Sequence, residues 1–200
     1  MADDMDLDMD ESEGSLSNPE VVDKYKTAAS IANAAILRVV SECRPGVRIV
    51  ELCALGDQII NEAVSKVYAK DKKLDKGIAF PTCVSPNNVV GHFCPAVDDT
   101  SVLQEGDVVK VDLGVQIDGN IAVVGHTAVA SANPAQPATG RRADVICAAH
   151  FAGEAALRML RPGKKNHEVT SVIAKVCQSS FAVEGIGLTY LISSIFAMGF

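Results

Sequence analysis

Apolar residues recur every three or four positions over Val21, Tyr25, Ala28, Ala32, Ile36 and Val39, the period of a helix with one buried face. Asn18-Pro19-Glu20 stands just ahead of that run. It supplies an N-cap side chain, a proline where no N–H is needed, and an acid at the positive end of the helix dipole. The helix is predicted to stop at Arg44-Pro45-Gly46, and a second of the same period to run from about 50 to 68 with Leu52, Leu55, Ile59, Ile60 and Val67 on one side. The pattern then changes. Residues 77–93 read as extended chain interrupted by Pro86-Asn87-Asn88, and 107–115 and 120–130 are rich in β-branched residues joined by Asp118-Gly119, a hairpin signal. After a loop at 131–138, helical periodicity returns over about 140–161 and 166–181.

Each helix pair is joined through Arg-Pro-Gly, first at Arg44-Pro45-Gly46 and again at Arg161-Pro162-Gly163. The arrangement reads as an internal duplication, α-α-β-β followed by α-α whose matching strands are missing. The fold class expected is α/β (α+β), with residues 18–185 as its domain. A helix pair without a sheet leaves an apolar face to be covered.

The two ends differ from this body. Asp3, Asp4, Asp6, Asp8, Asp10, Glu11 and Glu13 carry the whole formal charge of −7, so the chain from Gly14 onward is neutral, and residues 1–17 are expected to be a disordered acidic tail. Residues 186–200 form an apolar ending; with Gly185 they make sixteen residues without a charge. That is shorter than the about 20 residues a membrane span needs, so a buried strand or helix is expected in preference to an anchor. An ending from alternative splicing is a further reading.

At 48% hydrophobic and 22% charged residues, composition excludes collagenous, mucin-like and wholly disordered classes. A sequence pI near 5.0 excludes nucleic-acid binding driven by total charge. The acidic start resembles neither a secretory signal nor a mitochondrial presequence. Six scattered cysteines without a C-x-x-C pair suit reduced thiols in cytoplasm or nucleus.

The densest chemical constellation is Phe80-Pro81-Thr82, Asn87-Asn88, His92-Phe93, Lys110-Val111-Asp112-Leu113-Gly114 and Asp118-Gly119. His92 and Asp112 on neighbouring strands could begin a site for manganese, cobalt, iron or zinc. Taken singly, His92 also reads as a turn or core histidine and Asp112 as a hydrogen-bonded strand residue, and two ligands rarely hold an ion.

The order F-P-T, N-N-x-x-x-H, K-x-D-x-G and D-G resembles the methionine aminopeptidase-like (M24) family, whose architecture is the pita-bread fold. Lys24-Tyr25-Lys26, Lys76 to Thr82, Val123-Val124-Gly125-His126-Thr127 and Gly140 to Ile146 resemble, more narrowly, its proliferation-associated, ErbB-receptor-binding subfamily. The likeness covers about 19–185. It implies that His92 stands where active members shape the substrate-methionine pocket and Asp112 where they hold the first metal. The second metal-binding Asp falls eleven positions on, at Val123, and the remaining His and two Glu have no counterpart in this sequence. The resemblance therefore implies a pseudo-enzyme with no metal or other cofactor, His92 and Asp112 being vestiges. A metal-dependent methionyl aminopeptidase, or a truncated splice form without independent activity, are the alternatives.

The subfamily likeness further implies a monomeric regulator of growth and translation. It would bind structured RNA, ribosomal subunits and regulatory proteins, without membrane contact, in cytoplasm and nucleus including the nucleolus. Candidate phosphate contacts are Lys66, Lys70, Lys72, Lys73 and Lys76, with Asp71 and Asp75 among them; Arg141 and Arg142; and Arg158, Arg161, Lys164 and Lys165. Lysines near the end of the second helix also suit its dipole without any partner. The Lys-rich C-terminal tail usual in that subfamily is not in this sequence, and no aromatic platform for reading single strands is visible.

Overall fold

The computed structural model describes residues 15–133 and 135–179. The acidic tail up to residue 14 and the apolar ending at 186–200 therefore lie outside the described residues. Helix α1 (Pro19–Ser41) begins as its sequence dictates: the Asn18 side-chain oxygen accepts from the Glu20 N–H at 3.0 Å, and Pro19 takes the first turn. Its buried face includes Val21, Ala28, Ala32, Ile36 and Val39. Helix α2 (Ile49–Lys66) buries Ile49, Leu52, Cys53, Gly56, Ile60 and Val64. It is shorter than its periodicity predicts, because Val67 is already extended and Tyr68 has φ 48°.

The two Arg-Pro-Gly links adopt the same turn. Val47 N–H donates to Arg44 O at 3.2 Å and Lys164 N–H to Arg161 O at 3.1 Å, with Gly46 at φ 83° and Gly163 at φ 84°. Proline second and a left-handed glycine third are what a type II turn requires.

Strands β1 (Lys76–Pro86), β2 (Val108–Ile117) and β3 (Asn120–Val129) form one antiparallel sheet in the order β1-β2-β3. Asp118 and Gly119 both have positive φ, 54° and 74°, and close the β2–β3 hairpin tightly. The extended run expected up to Phe93 ends instead at Pro86: Asn87 turns the chain at φ 45°, and residues 87–107 return irregularly to β2.

Strand alternation divides β2 cleanly. Val109, Val111, Leu113, Val115 and Ile117 are fully buried and join the helical faces of α1 and α2 in one core. Each such side chain contributes about 1.5–3 kcal/mol on leaving water. Lys110, Asp112, Gly114 and Gln116 alternate with them and point to the opposite face. Helices α3 (Arg141–Met159) and α4 (Asn166–Ser179) pack together through a second, smaller cluster that includes Ala148, Ala149, Ala152 and Cys177. The expected end of α4 at Phe181 lies outside the described residues. Among the described residues no helix is long and apolar enough to cross a membrane.

Candidate functional site

Asp112 sits at the middle of the central strand, facing away from the helices. In register it stands between Cys83 of β1 and Gly125 of β3. The β1–β2 ladder shifts twice, between Ile78 and Phe80 and again before Cys83, so the usual alternation is broken around Pro81. Such irregularities re-aim side chains, and here they deliver the Cys83 thiol to the aspartate. Just beyond, the Phe80 ring lies over Gly114 so closely that a Cβ there would come within 2.6 Å of it.

His92 reaches the same place by another route. The chain beyond Asn87 folds back on β1: Val84 N–H donates to Phe93 O at 2.8 Å, and Phe93 N–H donates to Ser85 Oγ at 3.2 Å. His92 itself is left-handed at φ 58°, which costs a non-glycine residue free energy. Its Nδ1 lies 3.3 Å from Asp112 Oδ2, while 89% of its side chain remains exposed. The carboxylate, by contrast, is buried.

Burial raises the Asp112 pKa above the ordinary carboxylate value, and the His92 imidazole draws it part of the way back. Burial, with the Asp112 charge second, pushes the Cys83 thiol up to about 12, and the thiol donates to Pro81 O at 3.2 Å. Lys110, on the same face, donates to Asn87 O at 2.9 Å, and burial lowers its pKa to about 8. The sequence points to His92 and Asp112 but gives Cys83 the look of an inert small hydrophobe. No local motif marks it; only the strand register does.

The two-ion centre of the active members that the chain resembles does not fit these residues. Val123 pairs with Gly114, which puts its side chain on the Asp112 face, 39% exposed and without a donor atom. Among the described residues, the metal-capable group that includes Asp112 is completed by Cys83 and His92 and by no second carboxylate.

The basic candidates are dispersed. Lys66, Lys70, Lys72 and Lys73 are exposed along the segment from the end of α2 toward β1. Lys76 is tied down, its ammonium donating to Val67 O just past α2. Arg142 packs its guanidinium over Gly106, on the wall of a cavity of about 540 Å³ that Cys43, Glu105 and Ile146 also line. Arg141 opens α3, and Lys164 and Lys165 follow its far end, about 28 Å along the axis. Arg158 is paired with Glu154 and Lys164 with Glu168. Helix α3 therefore separates Arg141 and Arg142 from Lys164 and Lys165.

The sequence profile of metallopeptidase family M24 matches residues 23–196. ERBB-3 binding protein 1 of Arabidopsis thaliana is 52% identical over 172 residues, 86% of this chain and 43% of that protein. Proliferation-associated protein A of Dictyostelium discoideum is 55% identical over 161 residues, 80% of this chain and 42% of that one. The chain thus spans less than half the length of these relatives. The methionine aminopeptidase of Thermotoga maritima superposes with a TM-score of 0.65 at 24% identity, over 81% of this chain and 61% of the enzyme, a likeness of fold alone.

Proposed function

The chain belongs to metallopeptidase family M24 and carries part of its pita-bread fold, and within that family we propose that it is a non-catalytic binding protein rather than a peptidase. The observation that carries this reading is Val123. A hydrocarbon occupies the position on the Asp112 face where the family likeness calls for a carboxylate shared by two cations. Without a shared carboxylate the paired ions that activate a hydroxide for peptide hydrolysis are not held.

Structured RNA, ribosomal subunits and regulatory proteins, in cytoplasm and nucleus, are the partners this reading assigns. Similarity to proteins named for proliferation and for ERBB-3 binding supports the regulatory role. The exposed Lys66, Lys70, Lys72 and Lys73 support the RNA contact, since lysines on phosphates release counterions. Arg141 and Arg142 lie at the opposite end of α3 from Lys164 and Lys165, and the Lys76 ammonium is held by Val67 O just past α2.

Two assays test the reading. Methionyl peptides with added cobalt or manganese should not turn over, and metal-dependent turnover abolished by Asp112→Asn overturns the pseudo-enzyme. Filter binding to structured RNA should weaken with salt. Neutralising Lys70, Lys72 and Lys73 should reduce the salt slope by about one unit for each phosphate that a lysine had neutralised. An unchanged slope removes this patch from the interface.

A further inference from the structure

We propose that Cys83, His92 and Asp112 hold a single divalent zinc ion as thiolate, imidazole and carboxylate, and that the ion clasps the irregular 87–107 segment to the sheet. The three candidate ligand atoms all lie within 4.8 Å of one another. His92 Nδ1 and Asp112 Oδ2 stand 3.3 Å apart, the edge of a tetrahedron whose metal bonds are about 2.0–2.1 Å. The edges to the sulfur are longer, because a zinc–sulfur bond is about 2.3 Å.

Three independent features of the backbone converge on this point. The irregular β1–β2 ladder pairs Cys83 with Asp112. The Val84–Phe93 and Ser85–Phe93 hydrogen bonds dock the returning segment beside them. The left-handed backbone of His92 fixes where its imidazole leaves the chain, and such outliers persist where surrounding structure enforces them.

Donor chemistry selects the ion. A thiolate with an imidazole favours zinc over magnesium, calcium or manganese, and one carboxylate completes a three-ligand set whose fourth position falls to water. On binding, the thiol gives up its hydrogen bond to Pro81 O and releases its proton to solvent, so one proton appears per ion taken up. The site is not the family's paired-ion centre: it uses a cysteine, and it needs nothing at position 123. Its failure would leave the proposed function standing, because the measurement reads metal uptake and not turnover.

The test is cobalt substitution in the metal-stripped 200-residue chain, followed by displacement with zinc against a colorimetric chelator. One equivalent of cobalt should give a near-ultraviolet thiolate-to-metal charge-transfer band that zinc abolishes. Cys83→Ser should remove the band. His92→Ala, at an exposed side chain that leaves the core untouched, should weaken zinc binding by more than the about 10–100-fold that loss of an outer-shell partner costs, with an unchanged far-ultraviolet spectrum. Zinc should also raise the melting temperature of the parent chain and not of the His92→Ala variant. Absence of the band, its survival in Cys83→Ser, or unaltered affinity in His92→Ala each overturns the proposal.

Discussion

Gly56 of α2 and Thr82 of β1 touch so closely that a methyl group at position 56 would lie 2.5 Å from Thr82 Oγ1 and 2.7 Å from its Cγ2. The helix and strand approach to this distance because one partner has no side chain. Thr82 is fully buried, and its hydroxyl has no hydrogen-bond partner among the described residues.

Gly56→Ala is therefore expected to destabilise the fold by about 1–3 kcal/mol through overpacking. Thr82→Ala in the same chain should recover part of that loss, since it removes the two nearest atoms. Urea denaturation of the four proteins in the cycle checks it; additive effects would mean the two residues do not press on each other.

The two faces of the sheet should respond unequally to truncation. Leu113→Ala, at a side chain with no exposure, is expected to cost about 2–5 kcal/mol. Ile121→Ala, at a half-exposed position, should cost about 0.5 kcal/mol or less. Equal effects in thermal melts would contradict the burial assigned to Leu113 and the exposure assigned to Ile121.

Stability should depend on pH through Lys110. Burial lowers its pKa from 10.5 to about 8, so the folded state resists the charged form more than the unfolded chain does. The penalty is complete below about 8 and vanishes as pH rises toward 10.5. The unfolding free energy of the parent chain relative to Lys110→Met should hence be flat between about pH 6 and 7 and climb between about pH 8 and 10. A flat difference over the upper range rules the shift out.

The start of α1 offers a smaller test. Asn18→Ala removes the side-chain oxygen that accepts from Glu20 N–H and should cost about 0.5–2 kcal/mol, whereas Asn18→Asp should be nearly neutral. Equal melting temperatures for all three chains would show that the cap contributes nothing.

Much of this fold is legible along the chain because its signals are local. The Asn18-Pro19 start, the twin Arg-Pro-Gly turns and the Asp118-Gly119 hairpin each depend on residues within a few positions of one another. Helix α2 stops two residues short of its periodicity because Val67 fits the helical period yet takes an extended backbone. The site is half legible. The likeness to M24 proteins picks out His92 and Asp112, but Cys83 meets Asp112 across a long irregular connection and a ladder that shifts register twice. No alternation of polar and apolar residues encodes such an offset. The basic residues are legible as charges and not as surfaces: a helix separates Arg141 from Lys164, and Lys76 bonds to the backbone at Val67.

The strict alternation along β2 has a consequence for how such a protein can change. Positions 109, 111, 113, 115 and 117 answer to the core, while 110, 112, 114 and 116 answer to whatever meets the other face. Two sets of demands are thus written on one strand in alternate letters, and a substitution in one set leaves the other readable. A lineage can retire an old chemistry at the even positions, or try a new one, while the odd positions go on specifying the same architecture.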